Sequence, residues 1–141
     1  MASKNQMTGM VGVYLVAAEL CKRNWIVSVT SRSAAGADLL VTDQECKKTW
    51  SVQVKTNARN TSFWLLNPNA KEIGDKSHMY IFVNLGDAKK NKPDEFIVVP
   101  SDHVKKKMLV EKGKSGSNWY SFQRSNRLTI DAGWEQFENE S

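Results

Sequence analysis

The sequence predicts an α/β fold with a mixed central β-sheet flanked by helices. Three observations carry that expectation. A proline-free stretch near the N-terminus has apolar residues at helical spacing. Three β-branched, alternating segments then follow in a run, not as repeated strand–helix–strand units. A longer apolar run, a further strand and two more helical stretches complete the chain. Strands in a run pair with each other, and the helices supply the covering layers.

Residues 9–23 form the first expected helix. Met10, Val13, Val16, Ala17 and Leu20 recur with helical period. Thr8 is the expected N-cap, Lys22 and Arg23 suit the negative end of the helix dipole, and Asn24 is the stop. Residues 25–30 alternate and are rich in β-branched side chains, so they read as a strand. Residues 31–37 are small and polar and form a loop. Residues 37–42 are the second strand, 43–48 a polar turn, and 50–56 the third strand. Val52 and Val54 point to one face of it, Gln53 and Lys55 to the other. Residues 61–66 form a short fourth strand, broken by Asn67-Pro68-Asn69. Residues 79–85 read as a buried strand and residues 95–99 as another, ended by Pro100. Ser101 is the expected N-cap of a helix over 102–111. A Gly-, Ser- and Lys-rich loop spans 112–118, and a closing helix is expected over 131–138.

With 141 residues the chain is expected to be one domain. A chain of about 150 residues hides roughly 70% of its unfolded surface, enough for a real core. No apolar run approaches the ~20 residues of a membrane helix, and no secretory leader is visible. Cys21 and Cys46 have no metal-like spacing, so reduced thiols and a cytoplasmic setting are expected. The net charge is +5, with lysines clustered at 47–48, 89–92 and 105–107. Such a balance favours polyanion partners, because lysines that meet phosphates release counterions. The alternative is that these lysines are solvated loops and helix faces.

One constellation carries chemistry. Asp38 heads the apolar run Leu39-Leu40-Val41, and Gln53 and Lys55 stand two apart on the next strand. A hairpin through residues 43–48 brings the three together. A carboxylate at the head of an apolar strand needs a partner, a turn role or a metal. Mg²⁺ takes oxygen ligands and keeps several waters, so Asp38 and the carbonyl oxygen of Gln53 can hold it with substrate phosphate. The Lys55 ammonium then faces the phosphate or the attacking water. The alternative is a half-exposed hairpin with polar residues on its wet face.

Residues 12–56 resemble the PD-(D/E)XK nuclease superfamily, through Val16-Ala17-Ala18-Glu19-Leu20, Trp25-Ile26-Val27, Gly36-Ala37-Asp38-Leu39-Leu40-Val41 and Val52-Gln53-Val54-Lys55-Thr56. Glutamine in place of the second acid is similar to the Mrr-type branch of restriction nucleases. The resemblance implies a restriction-endonuclease-like fold and a metal-dependent DNA endonuclease of restriction or junction-resolving type. Asp38, Gln53 and Lys55 would be the catalytic residues, Asp38 and Gln53 the ligands of Mg²⁺ or Mn²⁺, and DNA the partner. A homodimer is a further expectation, since enzymes of this size often pair to cut two strands. The chain departs from the pattern twice. Ala37 replaces the proline before the acid, and Val13 follows Gly12 where many relatives have Gly-Glu. Glu19 is the one acid of the first helix and a candidate third metal-site group. The alternative function is a catalytically inactive module of this fold that binds nucleic acid or a protein.

Arg32, Ser33 and Arg124 are candidate phosphate contacts, with Ser31 and Arg127 near them. His78 and His103 read as structural or exposed, and Trp50, Trp64, Trp119 and Trp134 as core or rim residues.

Overall fold

The computed structural model describes residues 1–31, 36–74 and 76–138. Helix α1 (Lys4–Lys22) precedes strands β1 (Ile26–Val29), β2 (Leu39–Thr42), β3 (Thr49–Asn57) and β4 (Phe63–Leu66). Strands β5 (His78–Asn84) and β6 (Glu95–Pro100), helix α2 (Ser101–Lys107) and strands β7 (Leu109–Lys112) and β8 (Asn118–Gln123) follow. The main sheet has five strands in the order β1-β2-β3-β5-β6. Only β3 and β5 run parallel, and the other pairs are antiparallel. The sheet is mixed, as the sequence predicts. A second sheet of three antiparallel strands has the order β4-β8-β7.

Two cores sit on the two faces of the main sheet. On one face α1 lays Val13, Val16 and Leu20 against Leu39, Val41, Val52 and Val54. On the other, Tyr80, Phe82, Ile97 and Val99 meet Trp64, Tyr120 and Phe122 of the second sheet and Val104 of α2. Strand β5 lies between the cores and is buried along its whole length. Such a strand shows no alternation, which is why it reads as a continuous apolar run.

Several boundaries move for identifiable reasons. Helix α1 begins before Thr8, and its cap is Ser3. The Ser3 hydroxyl accepts from Gln6 N–H (3.2 Å), and Gln6 Oε1 accepts from Ser3 N–H (2.9 Å), a reciprocal capping box. Asn24 does stop the helix, in the left-handed region at φ 69°. Helix α2 is shorter than residues 102–111. Pro100 takes its cap position, and the Ser101 side chain turns inward to His78. The expected end of that helix is instead β7, paired with β8 through the loop 113–117. The closing helix is a single 3₁₀ turn, Trp134–Phe137, which seats Phe137 against Trp25 and Trp50.

Candidate functional site

Strands β2 and β3 pair from Leu39 opposite Val52, and Asp38 lies one residue before β2. Its backbone N–H donates to Val52 O (2.8 Å), and its C=O accepts from Thr30 N–H (2.9 Å). Its carboxylate does a second job. Val54 N–H, the next donor along that edge of β3, finds Asp38 Oδ2 at 2.8 Å. One carboxylate oxygen is therefore part of the ladder. The other, Oδ1, has no hydrogen-bond donor among the described residues.

Leu39, Val41, Val52 and Val54 face α1, so alternation puts Gln53 and Lys55 on the opposite face of the sheet, and the Asp38 charge acts on Lys55. Gln53 and Lys55 are successive residues of one strand face, about 6.6 Å apart along β3, and Asp38 is near enough to Lys55 for its charge to be felt there. Gln53 Oε1 is buried and has no hydrogen-bond partner. Lys55 forms no ion pair within 4.0 Å among the described residues. Burial lowers its pKa below the usual lysine value, and the nearby Asp38 charge partly opposes that shift. On β5, Tyr80 pairs with Gln53 and Phe82 with Lys55, so the aromatic core walls the cluster on one side. Burial pushes the Tyr80 phenol up to about 12, which keeps it protonated at neutral pH.

A lysine whose folded pKa lies below its unfolded one binds fewer protons when folded. Stability then rises with pH between the folded value and the ordinary lysine value of 10.5. Lys55→Met is therefore expected to raise the melting temperature at pH 7 and to flatten its rise toward pH 10. Thermal unfolding of both proteins across that range checks this. Equal slopes would mean that the ammonium carries no burial cost.

His78, read from the sequence as structural or exposed, is structural. It is 7% exposed. Its Nε2–H donates to Gly36 O, and its Nδ1 accepts from the Ser101 hydroxyl. The ring thereby ties the segment just before Asp38 to the start of α2. Sequence spacing offers no sign of this, because the partners lie 42 and 23 residues away.

The other candidates fall elsewhere. Glu19 belongs to the helix packed on the opposite sheet face. Its carboxylate binds Arg23 Nη1 at 2.6 Å and Lys22 Nζ at 3.4 Å. The Arg23 guanidinium lowers its pKa most. The structure does not bring Glu19 to Asp38. Arg124 is committed to Glu95 Oε1 (2.8 Å), Thr61 O (3.0 Å) and Asn60 Oδ1, which fixes it as a framework residue. Arg32 and Ser33 lie outside the described residues. Trp64 is core, with its indole N–H on Val83 O (2.9 Å), whereas Trp119 is 55% exposed.

A divalent ion such as Mg²⁺ needs oxygen donors. Among the described residues no group of three or more His, Cys, Asp or Glu side chains gathers, so there is no all-protein cage. What exists is a carboxylate oxygen of Asp38 and a buried amide oxygen of Gln53, each without a donor among the described residues. That pair fits a hard, oxygen-preferring cation that keeps several waters, as Mg²⁺ does. Among the described residues no helix is long and apolar enough to cross a membrane.

No family model matches this chain, and no curated protein sequence does. Solved structures do. The Holliday junction resolvase Hjc of the archaeal hyperthermophile Archaeoglobus fulgidus aligns with a TM-score of 0.52 at 10% identity, over 84% of this chain and 95% of that one. The bacterial homing endonuclease I-Ssp6803I aligns at 17% identity over 93% of this chain and 83% of that one, with a TM-score of 0.49. At such identity the likeness to Hjc speaks for architecture alone. The chain has an α/β fold of the restriction-endonuclease-like type.

Proposed function

We propose that this chain is a Mg²⁺- or Mn²⁺-dependent DNA endonuclease of the PD-(D/E)XK type, with Gln-x-Lys in its second motif. The observation that carries the reading is the buried, unpartnered Gln53 Oε1 on the same strand face as the desolvated Lys55, together with the free oxygen of Asp38, whose charge acts on Lys55. An oxygen buried without a donor costs about 1–3 kcal/mol, a cost that a bound cation removes. Asp38 Oδ1 and Gln53 Oε1 would hold the ion. When bound, the ion offsets charge on the scissile phosphate and acidifies water. Lys55 orients the attacking water and stabilises charge developing on the phosphate, more strongly for being shielded from solvent. Branched DNA is a substrate to include, because Hjc is a junction resolvase of similar fold.

A second reading is a binding module of the same fold that has lost catalysis. It is favoured by the absence, among the described residues, of any group of three or more His, Cys, Asp or Glu side chains and by the engagement of Glu19 with Arg23. Gln53→Glu separates the two. In a working enzyme the added charge tightens metal binding by about tenfold, on the order of 1 kcal/mol, and preserves or raises cleavage. In a binder it lowers DNA affinity by a similar amount and no cleavage appears. Calorimetry with Mn²⁺, together with digestion of supercoiled and branched DNA, reads both. If neither metal nor DNA binding changes, Gln53 is an ordinary strand residue and the proposed site is wrong.

A further inference from the structure

A cleft of about 700 Å³ opens at the ends of the parallel strands β3 and β5. It begins just past Asn57 and Asn84, which pair in register and lie on the same sheet face as Gln53 and Lys55. Successive same-face residues on a strand are about 6.6 Å apart, so the cleft starts roughly 7–13 Å from Lys55. Each strand of B-DNA advances about 3.4 Å per nucleotide, which makes that distance two to four nucleotides.

Three cations line the cleft: Arg59, Lys90 and Lys92. None of their side chains has an ion pair or hydrogen bond among the described residues. The acids on the walls are engaged. Glu95 accepts from Arg124 and from Asn84 Nδ2, each at 2.8 Å, and Asp87 caps the turn Ala88–Lys90 through Lys89 N–H at 3.0 Å. The loop carrying the two lysines is pinned. Asp87 and Lys92 form a bridge, and Gly86 lies so close to Lys92 O that a Cβ there would sit 2.1 Å from it. Below, Asn57 Nδ2 donates to Asn84 Oδ1 (3.1 Å), and Asn84 Nδ2 donates to Thr61 O (2.8 Å), which fixes the floor.

We infer that this cleft binds backbone phosphates of the DNA strand whose scissile bond lies at Asp38 and Lys55. The inference rests on the nuclease reading for the position of that bond. Its cations and its rigidity are independent of that reading. Contacts to phosphate fix register without reading sequence, so the cleft sets how far along the strand the cut falls.

The test is the salt dependence of binding, measured in chelator so that cleavage plays no part. Fluorescence anisotropy with labelled duplex and branched DNA compares the wild type, the triple variant Arg59→Ala/Lys90→Ala/Lys92→Ala, and a control that loses equal charge, Lys105→Ala/Lys106→Ala/Lys107→Ala on α2. Each phosphate contact contributes about 0.9 to the slope of log affinity against log salt. The cleft variant should lose two to three units of slope, and the control less than one. Equal losses would assign binding to overall charge and overturn the cleft. An unchanged slope in the cleft variant would overturn it too. Cleavage is scored separately with Mg²⁺. A wild type that binds with the expected slope but never cuts defeats the nuclease reading and leaves the cleft standing. One that cuts while the cleft variant keeps its slope defeats the cleft alone. A wild type that binds no DNA defeats both.

Discussion

Asp38→Asn should abolish metal-dependent cleavage, by about 10³-fold or more, and leave the fold nearly as stable as before. The asparagine amide still offers an oxygen to Val54 N–H, so the ladder extension made by Asp38 Oδ2 at 2.8 Å survives. What disappears is the carboxylate charge that acts on Lys55. Asp38→Ala removes both roles. It leaves Val54 N–H without its acceptor, at a cost of about 1–3 kcal/mol, so its activity loss would be confounded with unfolding. The pair of variants therefore separates charge from scaffold. Nicking of supercoiled DNA and thermal unfolding, read side by side, check this. Retained activity in Asp38→Asn would remove Asp38 from the chemistry.

Gly12→Val should cost on the order of 3 kcal/mol or more. Helix α1 crosses β3 at this residue with no room for a side chain. A Cβ on Gly12 would sit 1.8 Å from Thr56 Oγ1 and 2.8 Å from Thr56 Cβ. Replacing glycine inside a helix ordinarily helps by several tenths of a kcal/mol, and here overpacking outweighs that gain. Adding Thr56→Ala removes the Oγ1 and Cγ2 contacts and should restore part of the loss, so the two changes are not additive. Melting temperatures of the two single variants and the double one read the coupling. Additive effects would show that helix and strand do not meet at these residues.

The same glycine shows what the sequence makes legible. Gly12 stands out as the start of a motif, yet its role here is close approach, and only the packed structure reveals Thr56 above it. The hairpin was readable because Val52 and Val54 alternate with Gln53 and Lys55, and a period of two fixes which residues share a face. The continuous burial of β5 was readable from its unbroken apolar run. Strand β7 was not. All four of its residues are exposed, so it carries no burial pattern, and three lysines before it extend the helical reading past its true end. The capping box is present in the sequence as Ser3 and Gln6, but the apolar periodicity begins only at Met10, so it places the start of the helix too late. The bond from His78 to Gly36 and the engagement of Arg124 with Glu95 join residues far apart in the chain, beyond the reach of local pattern.

The most direct test of the account is to locate Mn²⁺ in crystals of this protein by anomalous scattering, at a concentration that supports cleavage. The account predicts an ordered ion that contacts both Asp38 Oδ1 and Gln53 Oε1 and is lost in Asp38→Asn. An ordered ion elsewhere, or none beside Asp38 under conditions in which DNA is cut, would contradict it.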